Sequence, residues 1–228
     1  MTYPSQLRHA ASAIFTVALC TSLPSIAAEK DSAPFKWSFA IIELIEKGDA
    51  TRGQKVAKEQ KCAKCHGKTG ISDEDDTPSI AGQTASYNFK QMMDYKTGSR
   101  DEKTMTKRVR KLDERDIADM SAWYATLKPE PSMSQGKKPP ILVTKGDMSR
   151  LLLPCKVCHG KKGEGFGYET PALTGQKQEH FIDTMTAFKD SDRENDHYRR
   201  MRFIASQLSE EEIEELAAYY GAKPLEDD

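Results

Sequence analysis

The chain lacks an excess of charge of either sign. Its 228 residues carry 34 Lys and Arg against 35 Asp and Glu, a formal net charge of −1. Without a one-signed field, the composition offers no footprint for a nucleic-acid partner. Cysteine is scarce at five residues, too few for a disulfide scaffold of this length. Past the first thirty residues no apolar run could span a bilayer, which takes ~20 residues, and a mean hydropathy of −0.69 excludes a multispanning protein. No segment alternates convincingly as a strand. Hydrophobic residues at 37% and aromatics at 8% suffice for small cores and argue against wholesale disorder.

The first residues are expected to be an address. Arg8 and His9 precede the apolar run Ala10 to Leu19, and Ser25-Ile26-Ala27 offers a small-x-small exit, the pattern of a secretory signal peptide over 1–27. Retention as an N-terminal anchor is the alternative. Cys20 follows Leu19, which is not the small residue a lipoprotein signal wants, so Cys20 is expected to leave with the peptide. The mature chain is then exported, to the periplasm.

The remainder is one unit written twice. Cys62-Ala63-Lys64-Cys65-His66-Gly67-Lys68 returns 93 positions later as Cys155-Lys156-Val157-Cys158-His159-Gly160-Lys161. The same offset relates Gly70 to Gly163, Thr77-Pro78 to Thr170-Pro171, Gly82-Gln83 to Gly175-Gln176 and Arg100 to Arg193. At an offset of 96, Met105 maps to Met201, Leu112 to Leu208 and Ile117 to Ile213. A tandem duplication is the economical reading. Prolines 129, 131, 139 and 140 mark an extended connector, giving a first domain over 28–134, a linker over 135–141 and a second domain over 142–228. Helical patterns run from Thr84 to Lys96, from Asp113 to Leu127, and from a capping Ser209 with Glu212 to Tyr220. The segment Phe35 to Lys47 is expected to add an amphipathic helix with Trp37, Ala40, Ile41, Leu44 and Ile45 on one face. Both stretches around Met105 and Met201 are expected to be basic loops.

Cys-x-x-Cys-His reads as a c-type haem attachment site. Two thiols, Cys62 and Cys65 or Cys155 and Cys158, add across the porphyrin vinyl groups, and His66 or His159 then meets the iron. A redox-active Cys-x-x-Cys would want a βαβ context, which is missing. A four-cysteine zinc site would want the pairs roughly 15–20 residues apart. Disulfides across two-residue gaps would leave the repeated histidine unexplained. A small helical unit with a thin apolar core also gains its missing centre from a buried cofactor.

The sixth iron ligand must come from elsewhere in each repeat. The first has no spare histidine, and His180 of the second aligns with Tyr87. Met105 and Met201 are the methionines placed equivalently after the middle helix, so they are the candidate ligands. Met92, Met93, Met120 and Met185 are expected to be core packing. His197, one turn from Met201, is a competitor. The carbonyls of Pro78 and Pro171 are placed to hold the ring N–H of His66 and His159 and so fix the tautomer, although a plain turn role for these prolines is the alternative.

On these motifs the chain resembles the dihaem class I cytochromes c, the cytochrome c4 family, from about residue 48 to 225. The resemblance implies an all-α fold of two tandem cytochrome c domains in pseudo-twofold relation. It also implies two covalently bound haem c groups, His/Met ligation and periplasmic electron transfer without catalysis. Partners would be redox proteins: a membrane oxidase or reductase, or a periplasmic dehydrogenase, with peripheral membrane association left open and no nucleic acid. One alternative is a haem subunit of a larger oxidoreductase, such as a flavocytochrome sulfide dehydrogenase. Another is a haem enzyme with a labile distal ligand, such as a peroxidase or a thiosulfate-oxidising cytochrome. The cations Lys103, Lys107, Arg108, Arg110 and Lys111 beside Met105, and Arg199, Arg200 and Arg202 beside Met201, are either solvated faces, propionate partners or a rim that steers acidic partners.

Overall fold

The computed structural model describes residues 35–132 and 137–222. The expected signal peptide, Cys20 and part of the connector lie outside the described residues. Everything regular among them is helical, with isolated β-bridges alone for pairing.

Six helices make the first half: α1 (Phe39–Glu46), α2 (Ala50–Glu59), α3 (Ala63–His66), α4 (Ala85–Thr97), α5 (Lys103–Val109) and α6 (Glu114–Thr126). Five make the second: α7 (Ile141–Thr144), α8 (Cys155–His159), α9 (Gln178–Lys189), α10 (Arg200–Ser206) and α11 (Glu210–Tyr220). Each half has its own core. Phe89, Val109, Leu112, Ile117, Met120 and Tyr124 form the first, and Phe181, Met185, Phe188, Leu208, Ile213 and Tyr220 the second. The last helix of each half opens on a reciprocal capping box, Asp113 with Asp116 and Ser209 with Glu212, which satisfies otherwise orphaned amide donors.

Two elements differ from expectation. The stretches bearing Met105 and Met201 are short helices, α5 and α10, and not loops. Glu102 caps α5 by accepting from the amides of Thr104 and Met105, while Asp196 accepts from the amide of Arg202 in the first turn of α10. The helix expected from Phe35 begins only at Phe39. Ser38, extended at φ −139°, accepts from Ile41 N and sets the start, so Trp37 precedes the helix in extended chain and leaves its apolar stripe.

The halves also differ before the cysteines. In the first, α2 lies against α6 so closely that a Cβ on Gly53 would stand 1.9 Å from the Asp119 carbonyl oxygen. The second has only the one-turn α7 and a 3-10 turn, Met148–Arg150, there. One charge clamp survives the shortening. Arg52 binds Asp116 and Asp119, and Arg150 binds Asp147 and Glu212.

Candidate haem sites

Each Cys-x-x-Cys-His forms one helical turn, which puts residues three and four apart on a common side. That side carries Cys62, Cys65 and His66 in α3 and its N-cap, and Cys155, Cys158 and His159 in α8. The turn stops at Gly67 with φ +72°, where a Cβ would lie 1.7 Å from the Ile71 carbonyl oxygen. Only glycine fits there. The four thiols are unpaired; Cys62 and Cys155 are half-buried, Cys65 and Cys158 exposed. Burial pushes the Cys62 thiol up, against a hydrogen bond with Tyr124 that pulls it down, and pushes Cys155 up to about 11. A thiol–disulfide catalyst needs a lowered pKa, so these sulfurs are poor redox nucleophiles.

The histidines are held alike. His66 Nδ1 lies 2.9 Å from the Pro78 carbonyl oxygen, and His159 Nδ1 lies 3.0 Å from that of Pro171. A carbonyl oxygen only accepts, so Nδ1 carries the proton and Nε2 presents a lone pair. Burial, opposed by that same hydrogen bond, lowers both rings below the usual histidine pKa. Both rings stay neutral near pH 7, as a metal-binding imidazole requires.

Met105 on α5 packs against the same core as Cys62, and Met201 on α10 against the same core as Cys155. His197 faces Glu169, with Nδ1 3.5 Å from its carboxylate. The two basic runs, similar in sequence, fold into different electrostatics. Lys103, Lys107, Arg108, Arg110 and Lys111 are exposed and carry no ion pair among the described residues. In the second half Arg200 pairs with Glu169 and Arg202 with Glu194 and Asp196.

Between the halves lies a polar cluster that sequence reasoning did not single out. Lys90 binds Asp94 at 2.6 Å and donates to the Asn195 carbonyl. Asn195 reaches Asp94 and Gln91. Arg193 donates to Gln91 and Tyr87, and Arg100 donates to Gln91 at 2.8 Å. Three cations thus meet one carboxylate. Their field is visible on the neighbours: Tyr87 is lowered although burial alone would raise it, because Arg193 and Arg100 outweigh that effect. Buried cations in excess are costly without anionic partners, so this donor set fits a group bearing carboxylates. The repeat of Arg100 at Arg193 was the signal available in the sequence.

Comparison with known proteins accords with this geometry. A family model described as cytochrome c matches residues 50–128 and again 150–220. The chain belongs to the cytochrome c family. Within it, the chain is a dihaem cytochrome of the cytochrome c4 type. It is 34% identical over 181 residues to cytochrome c4 of Pseudomonas aeruginosa, covering 75% of this chain and 87% of that protein. The crystal structure of reduced recombinant cytochrome c4 from Pseudomonas stutzeri superposes with a TM-score of 0.69 at 29% identity, covering 76% of this chain and 97% of that one. A protein named thiosulfate dehydrogenase electron acceptor, from Thiomonas intermedia, is 26% identical over 171 residues, covering 72% and 79%. Two covalently bound haem c groups and the transfer of electrons to and from redox partners come with this membership.

Proposed function

We propose that the mature chain is an exported, periplasmic carrier that shuttles single electrons between redox proteins and catalyses no reaction itself. Cys62, Cys65, Cys155 and Cys158 would tether the two haems, and His66 with Met105 and His159 with Met201 would hold their irons. The observation that carries this reading is the matched pair of bonds from the His66 and His159 Nδ1 atoms to proline carbonyls, which leaves Nε2 unprotonated in each half. When bound, each haem supplies a one-electron couple, and methionine ligation sets that couple high. The protein's part would be to hold each iron from both a histidine and a methionine, leaving no position for a substrate, and to keep the two halves fixed for transfer between them. Arg100 and Arg193, in the cation-rich cluster between the halves, would hold haem carboxylates there.

The test is an optical and EPR comparison of the parent holoprotein with Met105→Ala and Met201→Ala. The far-red sulfur-to-iron band halves in each variant; a band unchanged in both overturns the ligand assignment.

The similarity to thiosulfate dehydrogenase electron acceptors favours a second reading, in which the chain serves one dehydrogenase as a bound relay. Purification from the native host as a stable complex with a dehydrogenase would support it, and a monodisperse single chain would not.

A further inference from the structure

Trp37 lies ahead of the first matched segment, which begins at residue 50, and it ties the start of the described chain to the second half. Its Nε1 donates to Glu169 Oε1 at 2.6 Å, and its ring stands 5.0 Å from that of Tyr168. Phe35, edge-on to Trp37 at 5.0 Å, reaches Phe89 of the first core at 6.2 Å. Glu169, 11% exposed, turns the same carboxylate toward His197 Nδ1 at 3.5 Å and Arg200 Nη2 at 3.6 Å.

Both of those residues belong to the turn that delivers Met201. Within it Tyr198 and Arg199 have φ of 54° and 57°, the left-handed region that side chains other than glycine adopt at a cost. Such a turn persists only where its surroundings hold it. Arg199, the N-cap of α10, makes no side-chain capping bond. Asp196 holds the turn from one side through the amide and Nε of Arg202, and Glu169 holds it from the other. The first half is built differently. Glu102 caps α5 directly onto the Met105 amide at 2.7 Å, and no residue from Glu102 to Met105 has a positive φ.

We propose that Glu169 is a positioning residue for Met201 and that Trp37 holds Glu169 in place. The extension ahead of the first repeat thereby sets how firmly the second iron keeps its sulfur ligand, and leaves the first iron alone. This rests on the assignment of Met201 as an axial ligand, and the experiment separates the two.

The full-length holoprotein carrying both haems is compared with Glu169→Gln and Trp37→Phe. The first variant keeps an acceptor for Trp37 but loses the charge facing Arg200, and the second keeps the ring but loses the donor. Met201→Ala identifies the signals of the second haem. Cyanide binding to the ferric protein is expected to speed up about tenfold at the second haem in Glu169→Gln, with a lower midpoint potential there, since methionine ligation raises it. Trp37→Phe moves the same quantities the same way by less, and the first haem keeps its parent values in both. A second haem in Glu169→Gln with the parent cyanide rate and potential overturns the proposal, as does an equal change at both haems. If Met201→Ala leaves the far-red band whole, the ligand assignment fails and takes the proposal with it.

Discussion

Gln83 and Gln176 clamp each other's half by the same set of bonds. Gln83 accepts from the amide of Ala172 at 2.8 Å and donates to its carbonyl at 3.0 Å. Gln176 does the same to Ser79, at 2.8 and 3.0 Å. Residues 79 and 83 correspond to 172 and 176 at the repeat offset of 93, so the contact is self-complementary in the way a twofold interface is. Each glutamine follows a glycine whose neighbour leaves no room for a side chain: a Cβ on Gly82 would strike Pro129, and one on Gly175 the Glu130 carbonyl. Removing one side chain strands a partly buried donor and acceptor at a cost of about 1 kcal/mol. Gln83→Ala should therefore speed amide hydrogen exchange at Ala172 and not at Ser79, and Gln176→Ala should do the reverse. Uniform exchange changes in either variant would show that the clamp is not local.

Much of this was legible in the chain before any fold was known, and the rest was not for identifiable reasons. The capping Ser209, the haem motifs and the proline carbonyls over the histidines depend on spacing within one repeat, which sequence states outright. The role of Gln83 depends on a residue 89 positions away. Its recurrence was visible while its partner was not. The two basic runs looked alike because composition does not show which acids fold back onto them: Glu194 and Asp196 turn onto Arg202 from just upstream, and Glu169 reaches Arg200 only after folding. Trp37 was misplaced because periodicity continues through Ser38, whereas the Ser38 side chain, accepting from the Ile41 amide, starts the helix only after it.

His180 faces Arg100 and Arg193 from the second half, and its ring is pushed down to about 3, first by burial and then by those two cations. A base whose folded pKa lies below its ordinary value of 6.5 stays neutral in the folded state and takes a proton on unfolding. Its contribution to stability is complete above 6.5 and is lost as the pH falls from there toward 3. Tyr87 fills the matching place in the first half and carries no such liability. His180→Gln, which keeps a donor for the neighbouring carbonyl, should leave the Tm nearly unchanged near pH 7.5 and raise it relative to the parent near pH 4.5. A parallel loss of Tm at both values would assign His180 a purely structural role.

The exposed cations of α5 and the turn after it should govern encounters with charged partners. Reversing Lys107, Arg110 and Lys111 to glutamate inverts three of the five unpaired cations next to Met105 and leaves the paired arginines of the second half untouched. Oxidation of the reduced holoprotein by ferricyanide, a trianion, should slow on the order of tenfold at low ionic strength. Oxidation by a cationic cobalt phenanthroline complex should accelerate. Raising the salt should bring parent and variant together, because exposed charges are screened beyond about 10 Å at 0.1 M. Equal slowing with both oxidants would indicate damage to the haem site in place of a change of field.

The buried guanidiniums between the halves should raise the potentials of both haems. Arg193 is buried and bound to Gln91, Tyr87 and Asn195, with Asp94 the cluster's single carboxylate, and Arg100 adds a second guanidinium bonded to Gln91 and to no carboxylate among the described residues. A fixed positive charge near an iron disfavours the ferric state, which carries one more positive charge than the ferrous, and low-dielectric surroundings strengthen the effect. Arg193→Gln keeps a hydrogen-bonding side chain and deletes the charge, so both midpoint potentials should fall together. A tenfold change in the ferrous-to-ferric ratio corresponds to about 59 mV, and shifts of that order are expected in a potentiometric titration. Arg193→Lys, which restores the charge without the planar fork, should recover most of the potential but not the bond geometry to Gln91. A fall confined to one haem would place the cluster's charge against that haem alone, and no fall at all would mean that the haem carboxylates it holds already neutralise it.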